Sequence, residues 1–177
     1  MRKLIESVLV SLDGVIEAPE RWANFDDEDA ALSMEELAKY EAFVMGRVTY
    51  ETLFAFWGDV AGNPYIDLIN AMPKYVASRS LTETAWNATL LGPGPSAAIA
   101  RLKEQPGKDL IKYGTSRFDD TLVRDRLVDE FRLWIRPVVA GAGQRLFEDV
   151  DTSGLNLSLT DERRLENGSV ILTYVPR

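Results

Sequence analysis

Phe43-Val44-Met45-Gly46-Arg47-Val48-Thr49-Tyr50-Glu51 is the stretch on which the reading of the fold turns. A short apolar run stops at a glycine and passes at once into a helical pattern, which is the signature of a strand, a tight turn and a helix start. Val76-Ala77-Ser78-Arg79-Ser80 and Ile111-Lys112-Tyr113-Gly114-Thr115-Ser116-Arg117 repeat the form, with hydroxyls after an apolar run. Outward from these, strands are expected over Lys3-Val10, Ala42-Met45, Lys74-Ala77, Thr89-Leu91, Asp109-Tyr113 and Glu130-Val139. Runs of this kind alternating with helices predict an α/β fold with a mixed, mostly parallel sheet and crossover helices. Leu155-Arg164 and Val170-Val175 flank the turn Glu166-Asn167-Gly168-Ser169, so the chain is expected to close on an antiparallel C-terminal hairpin.

Helices fit between the strands. Ser33-Met34-Glu35-Glu36 has capping-box spacing and predicts a helix from there to about Tyr40. Ser96 to Lys103, edged by Pro95 and stopped by Pro106-Gly107, predicts a second, and Arg117 to about Arg126 a third. The acidic run Asp26-Asp27-Glu28-Asp29 reads as a solvated loop in preference to a metal site. With no linker or repeat, residues 1–177 are expected to form a single domain.

Composition narrows the chemistry. Cysteine and histidine are both absent, which removes thiolate nucleophiles, Ser-His-Asp and Cys-His catalysis, and the usual zinc sites. A formal charge of -8 argues against a nucleic-acid partner. Glu6 breaks the apolar run Leu4 to Val10, so the N-terminus reads as a first strand and not a signal peptide, and no membrane span is expected. The expected location is cytoplasmic.

In open α/β sheets, ligands sit beyond the carboxyl ends of the strands, where helix N-termini offer free amides. Gly46, Arg47 and Thr49 combine a close backbone approach, a cationic fork and a hydroxyl suited to phosphate, although the same residues also suit a plain turn. Ser78 and Arg79 suit a phosphate monoester, against the alternative of a solvated turn, and Gly114, Thr115 and Ser116 suit a pyrophosphate. Neither a Walker motif nor GxGxxG is present. Ser11-Leu12-Asp13-Gly14 follows the first strand and makes Ser11 and Asp13 the candidates for catalysis. Asp13 would handle a proton or orient the substrate, or else merely cap an Asp-Gly turn.

In order and content these segments resemble the dihydrofolate reductase-like superfamily, in the branch of the C-terminal reductase domain of riboflavin biosynthesis proteins. The matching stretches are Ser11-Leu12-Asp13-Gly14, Met45-Gly46-Arg47-Val48-Thr49-Tyr50-Glu51, Lys74 to Arg79, and Leu127-Val128-Asp129-Glu130-Phe131-Arg132-Leu133 leading through Pro137 to Gly143 and Leu146-Phe147. The resemblance implies a three-layer fold with NADPH across the strand ends and its nicotinamide beside Ser11-Gly14. It implies Arg47 and Thr49 on the cofactor phosphates, Ser78 and Arg79 at the 2'-phosphate, and Gly114, Thr115 and Ser116 at the pyrophosphate. A homodimer and a pteridine- or pyrimidine-like substrate follow from the same likeness, as does the rival of a binding module without turnover. Tyr113-Gly114 stands where dihydrofolate reductases have a Gly-Gly pair, and the helical carboxylate that anchors their pterin has no secure counterpart.

Overall fold

The computed structural model describes residues 1–177 and contains eight strands and five α-helices. In chain order they are β1 (Leu4–Ser11), α1 (Asp27–Leu37), β2 (Tyr40–Gly46), α2 (Arg47–Trp57), α3 (Pro64–Ala71), β3 (Lys74–Ala77), β4 (Ala88–Leu90), α4 (Pro95–Glu104), β5 (Asp109–Tyr113), α5 (Arg117–Arg124), β6 (Glu130–Arg136), β7 (Leu157–Arg164) and β8 (Val170–Pro176). One sheet carries all the strands in the order β4-β3-β2-β5-β1-β6-β8-β7. Pairings from β4 to β6 are parallel, and β8 runs antiparallel to both β6 and β7. The mostly parallel sheet with an antiparallel C-terminal hairpin is thus as the sequence predicts.

Handedness divides the helices between the two faces. The chain first travels from β1 outward through β2 and β3, then returns through β5 to β6, and right-handed crossovers in opposite directions fall on opposite faces. Leu37 of α1, Tyr50 of α2 and Ile69 of α3 pack on Ile5, Phe43, Met45, Val76 and Ile111. Ile99 and Leu102 of α4 and Leu122 of α5 pack on Leu4, Ala42, Val44, Leu110 and Phe131. The central strands are therefore covered on both sides and largely apolar, as buried parallel strands are, with Glu6 of β1 and Lys112 of β5 as buried exceptions. Each fully buried side chain such as Phe43 or Phe131 contributes about 1.5–3 kcal/mol.

Three expectations need correction. The first helix starts at Asp27, not at Ser33, and the chain is already a strand at Tyr40. Asp26 and Asp29 form the capping box themselves, each carboxylate accepting the other's backbone N–H at 2.9 and 3.2 Å, while Asp27, Glu28 and Asp29 complement the helix dipole. The acidic run is consequently a helix start, not a solvated loop. Finally, β6 ends at Arg136 instead of Val139, because Pro137 has no N–H to give a ladder. Helix α3, capped by Asn63, was without a sequence expectation.

Candidate functional site

Register places three strand ends on one level. Gly46 pairs with Ala77, Phe43 with Ile111 and Ser7 with Tyr113, so β2, β3 and β5 stop together. Strand β1 runs on from Ser7 to Ser11, alongside β6 as far as Arg136. At about 3.3 Å per residue this leaves a ledge backed by a wall about 13 Å high.

The ledge carries most of the residues singled out above. Gly46 is the N-cap of α2 and supplies no side-chain cap, so the first-turn amides of α2 lack a partner from it. Its φ of -78° suits any residue. A Cβ there would meet Phe118 Cβ at 3.5 Å and Ser116 Oγ at 3.6 Å, an ordinary contact. The glycine thus sits where the starts of α2 and α5 come together. Thr49 is half-buried, and Arg47 is held along its own helix by Glu51 at 2.7 Å. Ser78 Oγ accepts from the amides of Ser80 and Leu81 at 3.1 and 2.9 Å and so closes the turn after β3, beyond which Arg79 is exposed.

On the next loop Gly114 adopts φ +68°, a left-handed conformation that favours glycine, and donates to the Ser7 carbonyl at 3.0 Å. Ser116 caps α5, with Asp119 returning the bond to its backbone N–H at 2.6 Å. Thr115 between them is half-buried. Gly46, Arg47, Thr49, Ser78, Arg79, Gly114, Thr115 and Ser116 accordingly all lie at the same rim of the sheet.

Ser11 and Asp13 stand at the top of the wall. Ser11 is buried, donates to Asp13 Oδ1 at 2.7 Å and accepts from Val15 N at 2.8 Å. Asp13 also accepts from the amides of Ala140 and Gly141 at 2.9 and 2.8 Å. These bonds, led by that from Ser11, lower its carboxyl to about 2. At neutral pH Asp13 is therefore an anion whose oxygens already accept three donors, and its chemistry is to tie the loop after β1 to the loop after β6. Asp13→Asn is expected to loosen both, because an amide offers one acceptor where two backbone N–H groups must be met. Amide hydrogen exchange at Ala140 and Gly141 should accelerate, and unchanged exchange would refute the clamp. A depressed carboxyl loses its contribution as pH falls, so the wild-type clamp should weaken from about pH 4 downward through 2.

Other groups at the rim were not anticipated. Asp29 Oδ1 and Oδ2 accept from Arg136 Nη1 and Nη2 at 2.5 and 2.8 Å, and Asn167 of the β7–β8 turn donates to Oδ2 at 3.0 Å. Arg136 also reaches the Asn24 carbonyl, and its guanidinium lies 5.4 Å from the Phe25 ring centre. Beside it is a cavity of about 250 Å³ bordered by Phe25, Asp26, Arg136, Val138, Asn167 and Ser169. The Tyr65 and Tyr113 hydroxyls bond at 2.8 Å, and burial raises both phenols, so both keep their protons at neutral pH. Under the ledge, Glu6, Lys112 and Asp119 form a wholly buried charged cluster. The signal for the cluster was present: Glu6 and Lys112 each interrupt an apolar strand at a position that must point into the core.

The family model of the RibD C-terminal domain matches residues 2–171. The YyaP protein of Bacillus subtilis (strain 168) is 31% identical over 98% of this chain and 94% of its own length. Among solved structures, a protein of Shewanella sp. PV-4 assigned to riboflavin biosynthesis is similar at TM-score 0.73 and 22% identity, with 99% of each chain covered. Dihydrofolate reductase from Enterococcus faecalis, complexed with NADP(H), is similar at TM-score 0.64 and 14% identity over 99% of this chain and 96% of that one. The Thermotoga maritima deaminase and 5-amino-6-(5-phosphoribosylamino)uracil reductase is similar at 0.68 and 12%, over 99% of this chain and 57% of that one. At these identities the structural likeness is one of fold.

Proposed function

We propose that the chain, which belongs to the RibD C-terminal domain family, is an NADPH-dependent reductase passing a hydride to a C=N or C=O bond of a pteridine- or pyrimidine-like small molecule. The observation that carries this reading is the common level of the β2, β3 and β5 ends, with the uncapped start of α2 lying beside the Ser116-capped start of α5. Two helix N-termini and a φ-positive glycine turn at one rim suit a dinucleotide's phosphates. Arg47, Thr49 and the amides after Gly46 would meet them, Gly114, Thr115 and Ser116 would take the pyrophosphate, and Ser78 and Arg79 the 2'-phosphate.

NADPH supplies the hydride when bound, and the chain's task is orientation. Ser11 and Asp13 brace the loop against which the nicotinamide would lie, and with Asp13 anionic a water is the better proton source. The cavity beside Arg136 adjoins that loop through Val138, whose carbonyl accepts from Leu12 N at 2.8 Å, and would admit the substrate's polar end. The protein would work as one cytoplasmic domain over residues 1–177, paired as a homodimer, with no nucleic-acid or membrane partner. No helix is long and apolar enough to cross a membrane.

Fluorescence titration is expected to give micromolar or tighter NADPH binding and weaker NADH binding, because arginine–phosphate contacts are charge-assisted. Arg79→Ala should erase the preference. Equal, negligible affinity for both nucleotides would reject the cofactor site and leave a binding module on the same fold.

A further inference from the structure

The densest buried charge in the molecule lies directly beneath the ledge. Glu6 of β1 and Lys112 of β5 are register partners, and Asp119 comes down on them from α5. All three are at most 1% exposed. Lys112 Nζ donates to Asp119 Oδ2 at 2.8 Å and to the Gly114 carbonyl, and stands 4.0 Å from Glu6, beyond a hydrogen bond. Neither Glu6 oxygen nor Asp119 Oδ1 has a donor. Two carboxylates and one ammonium in a dry layer leave one negative charge uncompensated, and a carboxyl so placed keeps its proton.

We propose that Glu6 is a protonated carboxylic acid that donates to the unpartnered oxygen of Asp119, and that this proton keeps the Gly114–Ser116 loop receptive to the cofactor's pyrophosphate. The second half rests on the cofactor reading above. Burial raises the Glu6 carboxyl well above its ordinary value, and the neighbouring Asp119 charge and hydrogen bond push the same way, against the opposing pull of Lys112. The charged groups acting on it are Lys112 and Asp119. Its register partner on β6 is the apolar Phe131, which packs in one layer with Ile99 and Leu102 of α4 and Leu122 of α5.

The cluster holds the loop at both ends. Asp119 Oδ2 accepts from Ser116 N at 2.6 Å and Ser116 Oγ at 3.1 Å, while Lys112 holds the Gly114 carbonyl. When Glu6 releases its proton to solvent, a net negative charge appears below the anion site. The new carboxylate also draws Lys112 away from Gly114. Both effects weaken phosphate binding, so Glu6 is a positioning residue and touches no ligand itself.

Three measurements test this. Infrared difference spectra of wild type against Glu6→Gln at neutral pH should show the carbonyl stretch of an undissociated acid in the wild type, fading as the solution is made alkaline. Absence of that band overturns the proposal, and the alkaline loss can be followed in wild type alone with labelled glutamate if the variant does not fold. NADPH titrations above about pH 7, where its 2'-phosphate is already dianionic, should show Kd rising about tenfold as Glu6 ionises, equivalent to about 1.4 kcal/mol. Glu6→Gln, whose amide donates to Asp119 without titrating, should give a flat profile. Coincident profiles overturn the coupling. Failure to bind NADPH at every pH, with the acid band present, rejects the cofactor reading instead. The loop half is then decided by alkaline amide exchange at Gly114–Ser116, which should rise in wild type and stay flat in Glu6→Gln, and equal exchange in the two overturns it.

Discussion

Asp29→Ala is expected to cost about 3–5 kcal/mol of stability, one of the two largest losses among the variants considered. The pair it breaks is fully enclosed: Asp29 is 0% and Arg136 3% exposed, and both carboxylate oxygens accept from the guanidinium. Truncation leaves Arg136 buried with only the Asn24 carbonyl as acceptor. It also removes the reciprocal cap on α1 and a bond to Asn167, so the helix start, the end of β6 and the β7–β8 turn lose their common anchor. Asp29→Asn should cost less, since it keeps one acceptor and the cap geometry. In urea unfolding followed by circular dichroism, a loss under about 1 kcal/mol for Asp29→Ala would show that the pair is wetter than its burial indicates. The double variant with Arg136→Met should lose less than the sum of the singles, because each single change strands the other partner.

This pair also shows where reading the sequence stops. The capping spacing at Asp26 and Asp29 is as legible as that at Ser33 and Glu36, and both cannot start one helix. The choice is made by Arg136, 107 residues away, through a contact that no local pattern contains. Strands were legible because each central one is largely apolar on both faces, and Gly46 and Gly114 were legible because a strand stopping at glycine marks the rim. That the marked rims coincide was not, since it depends on the register of β2 with β3 and β5 and on β1 running further than its neighbours. Asp13 was found for its position, but its engagement by Ala140 and Gly141 gives it a role that the Asp-Gly pair alone does not disclose. The cavity beside Arg136 is assembled from segments around residues 25, 137 and 168, too far apart in sequence to be grouped.

Lys112→Met is the other large effect, again about 3–5 kcal/mol near neutral pH. Methionine fills the space of the lysine stem, so the loss isolates the ammonium. Without it, Asp119 faces Glu6 in a layer with no cation, and the Gly114 carbonyl loses its donor. The pH dependence identifies the cause. A carboxyl whose value is raised in the folded state stabilises fully below its unfolded value of about 4.5, and that contribution is lost as pH rises through the folded value. Wild type should therefore weaken toward alkaline pH, with Lys112 opposing the change because its ammonium is retained: burial works against the charge, but the Glu6 and Asp119 carboxylates more than offset it. In Lys112→Met that opposition is gone, and the variant should be closest to wild type at about pH 4 and fall away steadily above it. A cavity or packing defect would give a deficit independent of pH. Parallel stability curves for the two proteins between about pH 4 and 9 would mean that the lysine acts by its bulk, and that the two carboxylates are neutralised by some means other than the ammonium and the shared proton.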